Sequence, residues 1–342
     1  MLEKPDLPDD RIVAGLRDGY GLDVVRLEFL PVGSDRLAWS YQADARDGET
    51  WFVKVRQGAV DAAGLAVPRA LQQAGVARVI APIPPVSSAH PWAVVEDYAL
   101  ILYPFIRGQN AKGLVLTDPQ WAEFGRILQA VHAARLPEAV LHLVSRETFV
   151  SAWAAGVRRV QTRIDASAGR DQQCRALAAV WRERDARIKQ ILERTDALGR
   201  RLRGRAFDFV QCHTDPHRAN LLLDRVGRLF LVDWDAPLLA PRERDLHFVV
   251  ESIVAGPPIG PREEALFFRG YGTTAIDWDL LTYYRYEWLC GDLLELAERA
   301  LDVEHTGEAT REDAIRSLRG MFEPGRAVDS ADALERRRPA EA

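Results

Sequence analysis

This 342-residue sequence has little cysteine, no long apolar run and no excess of basic charge. Its three cysteines are far apart and form no C-x-x-C pair, which argues against a disulfide framework or a thiolate zinc site. No apolar run approaches the length of a membrane span, and the N-terminus has no apolar signal segment. We therefore expect a cytoplasmic protein that does not enter a membrane.

The charge balance of the chain is slightly acidic. Lysine and arginine number 45 against 50 for aspartate and glutamate, which gives a net charge of -5. This balance disfavours nucleic acid as a partner, because such binders depend on basic contacts to phosphates. Hydrophobic residues make up 47% of the sequence, enough for a sizeable core, and the length suggests two domains. We expect a small-molecule substrate and a monomer or homodimer.

The first hundred residues are predicted to consist mostly of strands and turns. Residues 27–45 have the pattern of a hairpin, and residues 51–55 form a plausible third strand around Lys54. The sequence has only four lysines, so composition alone does not explain a lysine inside an apolar strand. A helix is predicted at 60–74, followed by a strand that ends near Tyr103.

Helical patterns dominate after residue 108, where we place the domain boundary. An apolar stripe at helical spacing predicts a long helix over 172–202. Further helices are predicted to begin at Leu246 and at Trp278. The arginine-rich tail at 327–342 is predicted to be disordered.

The stretch 213–235 contains the residues that point to a particular chemistry. It reads His213-x-Asp215-x-x-x-x-Asn220, then a short strand, a glycine turn and a second strand that ends at Asp233. This is the spacing of a phosphoryl-transfer loop and its metal-binding aspartate. Such a transfer needs an aspartate that orients and deprotonates the attacking hydroxyl, and hard oxygen ligands for magnesium. We predict Asp215 as the catalytic residue, and Asn220 and Asp233 as the metal ligands.

A metal hydrolase is the alternative interpretation of the same stretch. His213, Asp215 and His217 alternate along an extended segment, an arrangement that can chelate zinc. However, no further histidine cluster accompanies them, and Asn220 would then have no role. The offsets of Asn220 and Asp233 favour the phosphotransferase.

This stretch resembles the aminoglycoside phosphotransferase and choline kinase group of protein-kinase-like enzymes, and the resemblance covers nearly the whole chain. The continuation at 234–246 is similar to the spectinomycin-type phosphotransferases of that group. The resemblance implies an α+β, protein-kinase-like bilobal fold. It implies a small N-terminal nucleotide-binding lobe with an antiparallel sheet at 1–108, and a larger, mainly helical lobe for catalysis and substrate binding at 109–326.

The resemblance also implies ATP and Mg²⁺ as cofactors and assigns residues to the nucleotide. In this group a lysine on the third strand contacts the phosphates, a loop covers them, and a hinge holds the adenine. The corresponding residues here are Lys54, Gly33, Ser34, Tyr103 and Phe105.

Two further residues are expected to be structural. His213 resembles the histidine that shapes the catalytic loop, and Asp245 resembles a buried aspartate that braces this loop by accepting backbone hydrogen bonds. One departure concerns Lys54, which kinases usually pair with a glutamate on the next helix, because residues 60–74 contain no glutamate. Asp61 is the nearest acid, so Asp61, a water molecule or the phosphates alone would position Lys54. Regulation by movement of this helix is then disfavoured.

The acceptor site is sought among acids and aromatics near the end of the chain. Such mixing in 278–298 suits an amine-bearing ring, but it is also typical of a buried aromatic stripe with acids that face water. Asp235 is either a further acid near the metals or a turn former before Pro237. The candidate substrate residues are Asp235, Glu287, Asp292 and Trp288.

These observations lead us to expect an ATP-dependent phosphotransferase that acts on the hydroxyl of a small molecule. The first choice of acceptor is an aminocyclitol or aminoglycoside antibiotic such as spectinomycin, in which case antibiotic resistance follows. A metabolic kinase for choline, a methylthio-sugar or homoserine is the alternative, because the catalytic residues do not encode the acceptor. An alternative of another class is a nucleotide-binding protein without turnover.

Overall fold

The computed structural model describes residues 3–33, 35, 37–86 and 90–337. The chain divides into two compact units. One, here called the sheet unit, comprises Met1–Ala111, Ala134–Val144 and Asn220–Pro237. The other, here called the helical unit, comprises Lys112–Ala133, Ser145–Ala219 and Leu238–Ala342.

The sheet unit is built on a five-stranded sheet of order β1-β2-β3-β5-β4, in which all neighbours are antiparallel. Its strands are β1 Val24–Leu30, β2 Ala38–Ala45, β3 Thr50–Gln57, β4 Ala93–Val95 and β5 Tyr98–Pro104. The predicted hairpin and the predicted strand around Lys54 are confirmed. Buried and partly exposed residues alternate along β2 and β3, as expected when one face of a sheet covers a core.

Three helices belong to the sheet unit, namely α1 Asp9–Tyr20, α2 Ala62–Gln73 and α4 Glu138–Leu141. The first was not predicted, although Ile12 and Leu16 are fully buried. It lies very close to the sheet at Gly15, where an added Cβ would come within 2.2 Å of the Val95 side chain. The predicted helix at 60–74 is confirmed as α2.

A second, three-stranded sheet explains why the sheet unit does not follow the predicted boundary at 108. Its order is β10-β9-β6, with β6 Gly108–Asn110, β9 Leu221–Asp224 and β10 Leu229–Leu231. Gly108 allows the close contact, because an added Cβ would lie 1.9 Å from the carbonyl oxygen of Leu223. The hairpin of β9 and β10 thereby belongs to the sheet unit, although it lies far along the chain.

The helical unit holds most of the helices and a small sheet. Its helices are α3 Asp118–Ala133, α5 Ala152–Ser167, α6 Gln172–Leu202, α7 Glu243–Leu246, α8 Pro261–Tyr271, α9 Trp278–Leu301, α10 Glu308–Gly320 and α11 Ala327–Arg337. Its strands are β7 Ser145–Arg146, β8 Val210–Cys212 and β11 Leu238–Ala240, in the order β7-β11-β8. The core forms where α5, α6, α9 and α10 pack together.

The long helix predicted over 172–202 is confirmed, because α6 has these bounds. The helix predicted to begin at Leu246 is wrong, since α7 ends there. The tail prediction is also wrong for Ala327–Arg337, which form α11 with Val328, Ala331 and Leu334 buried. Helix α11 is tied to α9 because the Tyr286 hydroxyl donates to Asp332 over 2.8 Å. Residues 338–342 lie outside the described residues.

The structure also bears on the absences noted in the sequence. Cys174, Cys212 and Cys290 are free thiols, and all three are buried. In the described part of the chain, no helix combines the length and the apolar character needed to cross a membrane.

Candidate active site

The loop that carries Asp215 follows β8 in the helical unit and is held by a buried carboxylate. The backbone amide of His213 donates to Asp245 over 2.8 Å, and that of Thr214 donates over 2.7 Å. Thr214 has φ +81°, a left-handed conformation that is costly for a β-branched residue. Because Asp245 is completely buried and accepts both amides, it holds the loop in this strained form. The contact supports the predicted bracing role.

Asp245 also pairs with a histidine that was not assigned a role from the sequence. His132 Nε2 lies 2.9 Å from Asp245 Oδ2, and His132 Nδ1 lies 2.8 Å from the Tyr271 hydroxyl. Burial acts to raise the pKa of Asp245, but His132 and the backbone amide of His213 outweigh it and lower this pKa. The ionised form is thus favoured. His132 and Tyr271 belong to no motif, since they lie on two separate helices: His132 contacts Asp245 directly, and Tyr271 contacts His132.

His213 and Asp215 occupy different environments within one short loop. His213 is almost completely buried, and its Nδ1 accepts a hydrogen bond from the Asp215 amide over 3.2 Å. The Asp215 side chain is 43% exposed, and its Oδ1 lies 3.3 Å from His217 Nε2. Among the described residues, His213, Asp215 and His217 do not gather as three close ligand atoms, which disfavours the zinc alternative.

Three of the predicted substrate residues lie on α9, and two of them, Asp292 and Trp288, are linked to Asp215. Burial raises the pKa of Asp292 strongly, and the nearby carboxylates of Glu295 and Asp215 raise it further. The Trp288 ring packs edge-on against Phe248, at 5.8 Å between ring centroids. Phe248 in turn packs at 5.8 Å against His217, the neighbour of Asp215. The charge of Asp215 thus acts on Asp292. Trp288 is linked to the Asp215 loop by ring contacts through Phe248 and His217.

Glu287 differs from the other predicted substrate residues. Its carboxylate forms a buried ion pair with Arg244 Nη1. The guanidinium group of Arg244 also lies over Trp153 and Tyr284, at 5.1 Å and 5.3 Å from the ring centroids. An arginine buried in this way needs a carboxylate partner. The structure therefore places Glu287 in the core, and we correct its assignment to the acceptor.

Asn220 and Asp233 flank one end of the β9–β10 hairpin in the sheet unit. Leu221 pairs with Leu231, and beyond this pair the Val232 amide donates to the Asn220 carbonyl over 3.0 Å. Asp233 follows with φ +67°, again a left-handed conformation. Asp215 belongs to the helical unit, so its action together with Asn220 and Asp233 stays a prediction.

Lys54 on β3 contacts two carboxylates of the segment that follows β10. Its Nζ lies 3.0 Å from Asp233 Oδ1, and 2.7 Å and 2.6 Å from the two Asp235 oxygens. Burial acts to lower the pKa of Lys54, but the two carboxylates outweigh it and raise this pKa, so the ammonium form is favoured. Burial and the neighbouring Asp233 raise the pKa of Asp235. Asp235, predicted as a substrate residue, thus lies against Lys54.

Asp61, the other candidate partner of Lys54, has a different role. It caps the N-terminus of α2, where its side chain accepts a hydrogen bond from the Ala63 amide over 2.9 Å. Helix α2 contains no acidic residue. Neither a glutamate nor Asp61 therefore takes the place that kinases give to the helix acid.

Besides Lys54, the predicted nucleotide residues lie at the end of β5, just after it, and between β1 and β2. The Tyr103 ring packs edge-on against Phe52, at 6.2 Å, and burial raises the pKa of its hydroxyl. Phe105 lines an open, mostly polar hollow of about 530 Å³ together with Gln42, Arg107 and Asp224. Gly33 has φ +88° in the connection between β1 and β2. Ser34 lies outside the described residues.

Comparison with known proteins agrees with these features. The profile of the phosphotransferase enzyme family matches residues 28–284. A search among curated proteins finds no match. Among solved structures, a spectinomycin phosphotransferase, APH(9)-Ia, in complex with ADP and spectinomycin is 27% identical. This similarity covers 97% of the present chain and 99% of that chain, with a TM-score of 0.82.

Two more distant structures share the fold. Choline kinase LicA from Streptococcus pneumoniae is 15% identical over 95% of this chain and 99% of that chain, with a TM-score of 0.57. Amicoumacin kinase hAmiN in complex with AMP-PNP, Ca²⁺ and Ami is 15% identical over 94% of each chain, with a TM-score of 0.61. These matches confirm the α+β, protein-kinase-like fold. The chain belongs to the phosphotransferase enzyme family, and it is a nucleotide-binding kinase that transfers a phosphoryl group to an alcohol group of a small molecule.

Proposed function

We propose that this chain transfers the γ-phosphoryl group of ATP to a hydroxyl of an amine-bearing cyclic alcohol, with an aminocyclitol such as spectinomycin as the first candidate. The observation that carries the proposal is the crowding of carboxyl groups around Asp292 in the helical unit, where burial and the charges of Glu295 and Asp215 raise the pKa of Asp292. An ammonium group on the acceptor would stabilise the ionised form of Asp292. The 27% identity to a structure that contains spectinomycin supports the same class of acceptor.

Asp215 is the residue that we assign to the reacting hydroxyl. In this role it accepts the hydroxyl proton while the hydroxyl oxygen forms a bond to the γ-phosphorus. The bond from the γ-phosphorus to the bridging oxygen breaks, ADP leaves, and the proton remains on Asp215. The partial exposure of this side chain is what such a role needs, because the acceptor has to reach it. The contact with His217 holds the carboxylate in one orientation.

The donor atoms at the end of the β9–β10 hairpin fit Mg²⁺. Asn220 offers an amide oxygen and Asp233 a carboxylate, both hard ligands of the kind that this ion prefers. Asp233 and Asp235 already share the ammonium group of Lys54, so the case for Mg²⁺ rests on the oxygen donors themselves. When bound, the ion neutralises charge on the phosphates. Lys54, held in the ammonium form, contacts the phosphates in this proposal.

The acceptor is recognised by charge and by an aromatic face. Asp292 supplies the carboxylate, and Trp288, which is only partly buried, supplies a ring on which a cation can rest. Choline offers a cation too, but it lacks the ring and the several hydroxyl groups of an aminocyclitol. A panel of acceptors therefore separates the two classes.

The test is a coupled assay of ADP release with purified protein and Mg-ATP. The panel contains spectinomycin, several aminoglycosides, choline, a methylthio-sugar and homoserine. We expect stimulation by spectinomycin, and a phosphorylated product by mass spectrometry. The exposed pair Asp313–Arg316 offers the matched control, because Asp313→Asn changes a carboxylate of the same unit that lies on its surface. This variant should match the wild type, whereas Asp215→Asn should lose nearly all of its turnover.

The outcomes decide between the proposals. Stimulation by choline or homoserine alone would replace the antibiotic with a metabolite. Binding of Mg-ATP without transfer to any acceptor would favour a nucleotide-binding protein without turnover.

A further inference from the structure

Lys54 needs an anchor if it is to contact the phosphates of a nucleotide. A buried ammonium group on a four-carbon side chain must have its charge matched and its position fixed. The Lys54 side chain is only 13% exposed. Kinases place the matching acid on the helix after the third strand. In this chain α2 has the sequence AAGLAVPRALQQ, which contains no acid.

A close contact between α2 and the segment after β10 accompanies this difference. A Cβ added to Gly64 would lie 2.6 Å from the carbonyl oxygen of Trp234 and 3.4 Å from Cα of Asp235. The helix therefore rests directly on this backbone, and a long acidic side chain at position 64 would have no room. The same segment carries an acid, Asp235, whose two oxygens lie 2.7 Å and 2.6 Å from Lys54 Nζ.

We infer that Asp235 is the positioning residue for Lys54, in place of an acid on α2, and that it holds the ammonium group through binding of nucleotide. Asp233 contacts Lys54 with one oxygen only, and it is the residue assigned to Mg²⁺. Asp233 would hold the cation when Mg²⁺ is bound, whereas Asp235 has both oxygens on Lys54 and is left to hold the ammonium group. The inference rests on the proposed function, because it gives Lys54 the phosphates as its ligand.

The arrangement has a second support from Arg56. Its Nη1 lies 3.9 Å from Asp235 Oδ2 and also pairs with Asp35. Arg56 and Lys54 point to the same face of β3, since they are two positions apart in a strand. Asp235 is thus bounded by two cations of one strand, which fixes its carboxylate relative to the sheet.

The first experiment measures the affinity of ADP with Mg²⁺ by calorimetry in four variants. Asp235→Asn and Lys54→Met should each weaken ADP by roughly 10- to 100-fold, the effect of removing a hydrogen bond to a charged group. The double variant should bind ADP as weakly as Lys54→Met alone, within about twofold. Asp61→Asn is the matched control and should bind ADP as the wild type does, because asparagine also caps helices well. Adenosine, which has no phosphates, should bind all of them equally.

Two results would overturn the inference. One is a loss of ADP affinity in the double variant that equals the product of the fold-losses in the two single variants. This result would mean that Asp235 acts independently of Lys54. The other is a loss on Asp61→Asn as large as that on Asp235→Asn. Equal binding of adenosine shows that each variant is folded, so a general loss of structure cannot imitate the expected pattern.

A second experiment needs neither nucleotide nor turnover. Because the chain has only four lysines, a spectrum of ¹⁵N-labelled lysine ammonium groups is simple, and Lys54→Met identifies the Lys54 signal. A slowly exchanging signal from Lys54 should persist in Asp233→Asn and disappear in Asp235→Asn. The reverse pattern would make Asp233 the anchor. A wild type without any phosphotransfer would refute the proposed function and leave this result unaffected.

Discussion

Carboxylates gather in both units, but they meet different neighbours. In the sheet unit, Asp233 and Asp235 share the ammonium group of Lys54, and Arg56 lies beside them. In the helical unit, Asp292 lies near Asp215 and Glu295, and the cation nearby, Arg299, is paired with Glu295. The first group is largely neutralised by the protein itself. In the second, burial and the charges of Glu295 and Asp215 raise the pKa of Asp292.

This difference separates two ways of preparing a site. Acids that are paired with a lysine of the same unit keep their geometry before any ligand binds. Such a preorganised arrangement suits the binding of phosphates and a metal ion. A group of acids that lie close together costs stability, but it increases the affinity for a cationic ligand, whose charge offsets that of the acids. In the proposed function, the sheet unit carries the residues for the phosphates and the metal ion, and the helical unit carries the residues that select the acceptor.

The largest expected effect is that of replacing Asp215, which belongs to the acids of the helical unit. Asp215→Asn should lower kcat by about 10²- to 10⁴-fold, the usual contribution of a general base. The affinity for Mg-ADP should change little, because the nucleotide residues lie in the sheet unit. Steady-state kinetics and calorimetry measure the two quantities. Turnover within a few-fold of the wild type would remove Asp215 from the reaction.

Asp245 extends the comparison of carboxylates, because it is buried in the helical unit and accepts hydrogen bonds from its neighbours. Asp245→Asn should reduce the free energy of unfolding by about 3–5 kcal/mol, as expected when one partner of a buried charged pair is removed. The folded pKa of Asp245 is lowered, so its contribution is present above its unfolded pKa of about 3.9 and is lost as pH falls through the folded value. Urea unfolding at several pH values tests this. An unchanged acid sensitivity in Asp245→Asn would contradict it.

A substitution at Gly64 tests the close contact between α2 and the segment that carries Asp233 and Asp235. Gly64→Ala places a methyl group 2.6 Å from the Trp234 carbonyl, so it should cost about 1–3 kcal/mol of stability and weaken Mg-ADP. Gly320→Ala is the matched control, because an added Cβ there has no atom within 4 Å. It should be neutral or stabilising by up to about 1 kcal/mol. Equal behaviour of the two variants in thermal unfolding and calorimetry would argue against the close contact.

The smallest expected effect concerns Asp292. Its folded pKa is raised, so the folded chain loses stability as pH rises from the unfolded value of about 3.9 through the folded value. Asp292→Asn should therefore raise Tm at pH 7, by roughly 2–4 °C, and leave Tm almost unchanged near pH 3. The same variant should increase KM for an amine-bearing acceptor. A lower Tm at pH 7 would show that the charge of Asp292 is already balanced.

The sequence predicted the parts of the fold that have long, regular patterns. Helix α6 has an apolar stripe over its whole length, and the strands around Lys54 alternate as strands of a half-buried sheet do. Helix α11 was missed because its short apolar stripe lies in an arginine-rich tail and gains its stability from contacts with α9. Periodicity does not report such contacts.

The role of a candidate residue was predictable where a motif fixed its spacing. It was not predictable where the role depends on a partner that is far away in the sequence. The stretch from His213 to Asp233 has a spacing that indicates its chemistry. Glu287 is instead decided by Arg244, and Asp235 by Lys54, which is 181 positions away. The sequence shows these acids but does not show which cation meets them.

The glycine contact of α2 has a consequence for inhibitors. In protein kinases, a compound that holds this helix outward separates the lysine from its acid, because the helix carries that acid. Here the acid lies on the backbone segment beneath Gly64, so a shift of the helix leaves the ammonium and carboxylate groups in contact. A compound that acts by displacing α2 should therefore leave the Lys54–Asp235 contact intact, so inhibitors of this enzyme should instead be sought among compounds that compete directly with the nucleotide.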